Sequence, residues 1–353
     1  MLENCFFKHP SRHNRHSVKT FILIFGALLN TQLAVLFLHT RAQAAQSKPL
    51  QVGLVLDKGG KDDQSFNAAA FKGAQKAQQE LGVTLKVVEA TDDNAFEGIL
   101  RNFSKARFDL IISVGFAQAE ALAKVAQANN NLQYAIVDTE VSAPNVRSLL
   151  FQEHEGSFLV GALAGLSSKT GKLGFIGGMD IPLIRRFQTG FEAGAKSVNP
   201  KATVVNQFVG VSGDAWNNPA RAKELAMNQF QAGVEIIFGA AGASTLGILD
   251  AAEQKKKLAI GVDSNQNHIK PGFVLTSMLK RVDVAVFNVI REMKDGQFKP
   301  GVEHFGLANN GVDFALDRHN EKLIAPETLK RINQIKADII AGKIKVPDAY
   351  EKK

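Results

Sequence analysis

Between Asp57 and Asn67 the chain reads Asp-Lys-Gly-Gly-Lys-Asp-Asp-Gln-Ser-Phe-Asn, which puts three carboxylates, two amides and an aromatic ring in one short stretch. Hydrogen-bonding side chains beside an aromatic face suit a planar, polar ligand, and a Gly pair lets the backbone turn tightly beneath it. The Asp residues are also of a type that can hold a metal ion. The plain alternative is a solvated turn that sends one Phe into the core. Further along, Asp138 and Asp263 each close an apolar run, Trp216 is the only tryptophan, and Lys280 follows Thr276-Ser277-Met278-Leu279. Gly242 lies in Gly239-Ala-Ala-Gly242-Ala-Ser244, where missing side chains let backbone N–H groups approach a ligand. Each isolated carboxylate reads equally as a strand-end turn or a helix cap, and Lys280 as a solvated cation.

The elements that carry these groups decide whether they meet. Residues 52–56 have the length and flanks of a buried parallel strand, so the Asp57 loop lies beyond a strand's carboxyl end, where open α/β sheets bind small molecules. Residues 67–81 have helical composition, which sets Phe66 and Asn67 at a helix N-terminus facing the crevice. Apolar runs at 52–56, 85–89, 110–114, 134–138, 172–176, 203–208, 234–238, 258–262 and 274–277 alternate with helical segments such as 71–81 and 219–231. This is a doubly wound α/β pattern made twice. It predicts two Rossmann-like lobes with a cleft that closes on a ligand by hinge motion. The Gly-rich region 156–178 is expected to hold the first crossover, and a helix over 281–294 to cross back. The expected division is a leader over 1–44, a first lobe of 48–160 with 279–300, and a second of 161–278 with 301–353.

Composition narrows the classes further. With 353 residues, 45% of them hydrophobic, the chain is long enough for two domains. The first 44 residues hold Lys8, Arg12, Arg15, Lys19 and Arg41 against Glu3, half of the formal net charge of +8. The remainder has no basic block, which argues against a nucleic-acid partner. The same segment has the parts of a secretory signal: a basic start, an apolar stretch from 21 to 38, and Ala42-Gln43-Ala44 as a small-x-small cleavage site. A retained membrane anchor is the alternative, since about 20 apolar residues span a bilayer. Cys5, the only cysteine, precedes the apolar stretch, so the processed chain would have no disulfide, thiol chemistry or lipid anchor.

Five ordered motifs carry a family resemblance: the Asp57–Asn67 loop, Glu155-Gly-Ser-Phe-Leu-Val-Gly161, Gly174-Phe-Ile-Gly-Gly-Met-Asp-Ile-Pro182, Gly213-Asp-Ala-Trp-Asn217 and Gly261-Val-Asp263. Over about residues 50 to 320 the chain resembles the basic membrane protein family, extracytoplasmic substrate-binding proteins of ABC transporters with the type I periplasmic-binding fold. Several members bind purine nucleosides. The resemblance implies a nucleoside ligand, an ABC permease in the inner membrane as partner, a monomer, and neither cofactor nor metal. It places Phe66 and Trp216 on opposite faces of a base, where stacking is worth about 1–3 kcal/mol per base. Asp138 would accept from the base edge and Asp263 from two ribose hydroxyls. Lys280 would donate at the ribose end, with Asp57, Asn67 and Gly242 completing the set. Arg185 and Arg186 match a paired basic position, read either as ligand contact or as a salt-bridged hinge.

Catalytic patterns are near misses. Asp57, Asp62 and Asp63 resemble the Asp cluster of nucleoside hydrolases, but the spacing is too long. Gly165 to Lys172 is one residue longer than a phosphate loop, with Leu173 in place of the Ser/Thr that would hold magnesium. Gly242-Ala-Ser244-Thr-Leu-Gly247 is one residue off a nucleophile elbow. His154, His268, His304 and His319 show no metal spacing. Binding without catalysis is the expectation. A ligand-sensing regulator of the same fold is the rival from another class, but the place of its helix-turn-helix is taken by the export-like segment.

Overall fold

The computed structural model describes residues 48–90 and 92–350. The leader and its cleavage site therefore lie outside the described residues. Among those described, no helix is long and apolar enough to cross a membrane.

Two six-stranded sheets form the frame. In the first, β1 (Gln51–Leu56), β2 (Thr84–Glu89), β3 (Leu110–Val114), β4 (Gln133–Val137), β5 (Val146–Phe151) and β11 (Gly301–Phe305) run in the order β11-β5-β4-β3-β1-β2, all parallel. In the second, β6 (Lys172–Met179), β7 (Thr203–Gly210), β8 (Ile236–Ala240), β9 (Leu258–Asp263), β10 (Val274–Lys280) and β12 (Val312–Phe314) run in the order β12-β10-β9-β8-β6-β7. Only β12 is antiparallel there. Central strands such as β3 and β8 are buried along their whole length, because helices cover both faces. The edge strand β2 alternates instead.

Helices α1 (Phe66–Leu81), α2 (Phe96–Lys105) and α3 (Ala119–Ala128) follow the first three strands. Helices α5 (Pro182–Val198), α6 (Pro219–Gln231) and α7 (Thr245–Lys255) do the same in the second lobe. Three passages join the lobes. The chain leaves β5 through Gln152 into α4 (Glu153–Ser167), returns from β10 into α8 (Val282–Lys294), and crosses once more from β11 to β12. As expected, α8 packs on α1 of the first lobe, burying Val282, Ala285, Val286, Val289 and Ile290. Helix α9 (Pro326–Ile340) ends on α4.

Three details depart from the sequence reading. The Gly-rich region is not the crossover: Gly156, Gly161 and Gly165 sit inside α4, whose main partner is α5. A Cβ on Gly161 would strike the Phe191 backbone and one on Gly194 the Phe158 carbonyl, so these glycines let two helix backbones touch. The whole of α4 therefore goes with the second lobe, and the boundary at residue 160 would cut a helix. Strand β11 belongs to the first sheet, beside β5, although its residues were expected in the second lobe. Strands β5, β11 and β12 lie outside the apolar runs that mark strands in the sequence.

Candidate functional site

Beyond the carboxyl ends of the strands the two lobes face each other across one cavity, and all eight residues singled out from the sequence line it. Asp57 leaves β1, Phe66 and Asn67 open α1, and Asp138 follows β4. From the second lobe come Trp216 in the turn after β7, Gly242 after β8, Asp263 at the end of β9 and Lys280 at the end of β10. The remaining wall is largely apolar: Phe116, Leu183, Ile184, Phe187 and Val262.

The Asp57–Asn67 loop is folded around Asp63 and Asn67. Asp63 accepts backbone N–H groups from Ser65, Asn67 and Ala68 at 2.8–2.9 Å, so it caps the N-terminus of α1. Burial raises its pKa against the pull of those hydrogen bonds. Asn67 accepts from the Asp57 backbone N–H at 2.9 Å and donates to the Lys58 carbonyl and to Asp63 at 3.1 Å. Its polar atoms are engaged within the loop, so it shapes the wall that Phe66 and Asp57 present. Asp62 is exposed and pairs with Lys61 at 2.8 Å. The three carboxylates thus point to different tasks and do not converge. Among the described residues, no group of three or more His, Cys, Asp or Glu side chains could hold a metal ion.

Three buried carboxylates remain on the cavity. Asp57 is 8% exposed, and burial pushes its pKa up to about 6, only partly offset by the bond it accepts from the Lys58 N–H at 2.7 Å. Asp138 and Asp263 adopt φ of 74° and 63°, left-handed conformations that Asp tolerates better than most residues. Non-Gly residues held in such conformations cluster at binding and active sites. Burial raises Asp138 to about 6 and Asp263 to about 7, with Lys280 opposing the rise in both. Asp138 Oδ1 is buried without a hydrogen-bond partner. The Ser65 hydroxyl donates to Asp263 Oδ2 at 2.5 Å, tying the first lobe to the second. Ser264 adds a bond from its hydroxyl to the Ser65 carbonyl at 2.9 Å.

Lys280 does not stand free at the mouth as a solvated cation. It is 2% exposed, 2.6 Å from Asp138 Oδ2 and 3.1 Å from Glu153 Oε1. Burial works against its charge, but Asp138, Glu153 and Asp263 together outweigh it and hold the ammonium above its ordinary range. The rings of Phe66, Phe151 and Phe187 surround it at 5.1–5.6 Å.

Trp216 packs closely on Gly178, where a Cβ would collide with the indole. Its ring neighbour from the opposite lobe is Phe116, edge to face at 6.5 Å and 77°. Phe116 had escaped sequence reading, although it follows Gly115 at the end of β3 as Asp57 follows β1. Leu183, Ile184 and Phe187 were missed because they look like the ordinary apolar face of α5. Lys58 bridges the rim, 3.5 Å from Asp214 of the second lobe and 3.6 Å from Asp93 of the first. Arg185 pairs with exposed Asp180 at 2.6 Å, whereas Arg186 is buried in ion pairs away from the cavity.

Residues 50–350 match the family described as ABC transporter substrate-binding protein PnrA-like. The CD4+ T-cell-stimulating antigen of Listeria monocytogenes is 34% identical over 325 residues, covering 86% of this chain and 89% of that protein. The ABC transporter nucleoside-binding protein BmpA of Lactococcus lactis is 32% identical over 322 residues, covering 84% and 89%. A crystal structure of an ABC transporter system solute-binding protein from Aeropyrum pernix superposes with a TM-score of 0.78 at 29% identity, covering 85% of this chain and 94% of that one.

Proposed function

Because this chain belongs to the PnrA-like family of ABC transporter substrate-binding proteins, we propose that its cleft binds a nucleoside, most readily a purine nucleoside, and presents it to a permease outside the cytoplasm. The observation that carries this reading is the convergence of Asp57, Asp138 and Asp263 from both lobes on one cavity otherwise walled by aromatic and aliphatic side chains. A nucleoside needs apolar faces for its base and acceptors for base N–H groups and the ribose diol. Asp138, with one buried oxygen unengaged, is suited to the base edge. Asp263, a buried carboxylate on the cavity wall, is suited to the diol. Phe66 and Trp216 would supply the stacking faces, with Phe116 steadying the indole. Lys280 acts through Asp138 and Glu153 in this reading, orienting the base-binding carboxylate, and Asn67 orients the loop. The lobes share the site, so occupancy favours their closure.

The Lactococcus relative carries nucleoside binding in its name, and the reading agrees with it. The test is a thermal-shift panel on the purified chain with purine and pyrimidine nucleosides, free bases and sugars. A ligand at one hundred times its Kd stabilises by about 2.7 kcal/mol. Purine nucleosides should raise the melting temperature most. A response to sugars alone would replace the nucleoside with a sugar while leaving the family unchanged.

A further inference from the structure

A line of charges, buried as far as Arg186 and half-buried at Asp348, runs from the cleft to the segment after α9. Glu153, 1% exposed, divides its oxygens: Oε1 faces Lys280 at 3.1 Å, and Oε2 accepts from Arg186 Nη1 at 2.5 Å. The Arg186 guanidinium is engaged on every side. Nη1 also donates to the Phe151 carbonyl at 2.5 Å, and Nη2 lies 3.0 Å from His154 Nδ1. Nε and Nη2 grip the two oxygens of Asp348 at 2.8 Å each, and the Tyr350 ring covers the guanidinium at 4.7 Å. Asp348 and Tyr350 come from the segment after α9, which reaches back to the first turn of α4.

We propose that Asp348 is a positioning residue for the ligand cleft: its fork on Arg186 fixes Glu153, and Glu153 fixes the Lys280 ammonium against Asp138. This rests on the cleft being the nucleoside site. A guanidinium held bidentately by one carboxylate leaves a second carboxylate free to divide its two oxygens. Remove the Asp348 charge and buried Arg186 must be compensated by what remains, which draws both Glu153 oxygens to it. Lys280 then keeps Asp138 as its only close partner, and Asp138 is the group assigned to the base edge. The C-terminal segment thereby sets how the cleft carboxylate is presented, without lining the cleft itself.

The test compares Asp348→Asn, which loses the charge at equal size, with Asp348→Glu, which keeps it. Lys280 acylation by acetic anhydride, followed by peptide mass spectrometry, reads the lysine without any ligand, and inosine titration reads the cleft. Asp348→Asn should label Lys280 at least fivefold faster, with Lys270 and Lys336 unchanged as controls for general loosening, and should weaken inosine at least fivefold. Asp348→Glu should restore both. Should Asp348→Asn fail to fold, Arg186→Lys, which keeps a charge but cannot form the fork, carries the same expectation. Unchanged Lys280 labelling overturns the proposal, as does faster labelling with unchanged inosine affinity. A wild-type chain that ignores inosine and every other nucleoside refutes the nucleoside reading alone, and the labelling still decides whether Asp348 positions Lys280.

Discussion

Asp263 combines a left-handed backbone, near-complete burial and a carboxyl whose pKa burial lifts to about 7. A ribose diol donates hydrogen bonds and so prefers the ionised form. Below about pH 7 the carboxyl is protonated, and binding must first remove that proton. Inosine affinity should therefore rise as pH increases through 7, by up to about tenfold per pH unit on the acid side. Asp57 and Asp138, both near 6, extend the same trend lower. Titrations at about pH 6, 7 and 8 check the sign, and Asp263→Ala should flatten the profile near 7 and weaken ribosides far more than free bases. At the stacking faces, Phe66→Ala and Trp216→Ala should each cost about 1–3 kcal/mol, roughly 5- to 150-fold in Kd. Because Trp216 is the only tryptophan, its emission should change on binding. All eight residues line the cavity: the Asp57–Asn67 loop stands out by its own chemistry after an apolar run, whereas the others stand out only through the family resemblance. Glu153 was not legible in the sequence: at the first turn of a helix its carboxylate resembles any residue placed there for the helix dipole, and only tertiary structure sets Lys280 and Arg186 on its two oxygens.

Helix α4 shows what an element hides from sequence reading. Its glycines look like a flexible crossover, yet Gly161 and Gly165, one turn apart, lie against the α5 backbone at Phe191 and Ala195, and Gly156 faces Met278 and Val312. A Gly repeat inside an otherwise apolar run is the signal that separates the two readings. Gly194→Ala puts a methyl group into the Phe158 carbonyl and the Ala162 backbone, and such overpacking should cost about 1–3 kcal/mol. Gly98→Ala in α2 meets nothing within 4 Å, so relief of glycine's helix penalty should leave stability equal or up to about 1 kcal/mol higher. Thermal melts of the pair check the contrast. Of the missed strands, β11 is an exposed edge with His304 and Glu303 interrupting its apolar pattern, and β12 is three residues long. Such strands are defined by their neighbours more than by their own composition.

At the scale of the whole molecule, the duplicated α/β pattern was legible because central parallel strands are continuous apolar runs. The lobe assignment of residues 301–305 was not, since membership of a sheet depends on where a third crossover sends the chain. Hydrogen bonds and ion pairs between the lobes, Ser65 with Asp263 and Lys280 with Asp138, lie beside the cavity, so ligand binding and lobe closure draw on the same groups. The central claim is binding of a nucleoside in this cleft without its consumption. Calorimetric titration of the purified chain with inosine, followed by chromatography of the recovered ligand, tests it most directly. The account predicts saturable binding near one inosine per chain, lost in Asp263→Ala, with the nucleoside recovered intact after prolonged incubation. No heat of binding from any purine nucleoside, or release of free hypoxanthine abolished by Asp57→Ala, would contradict it.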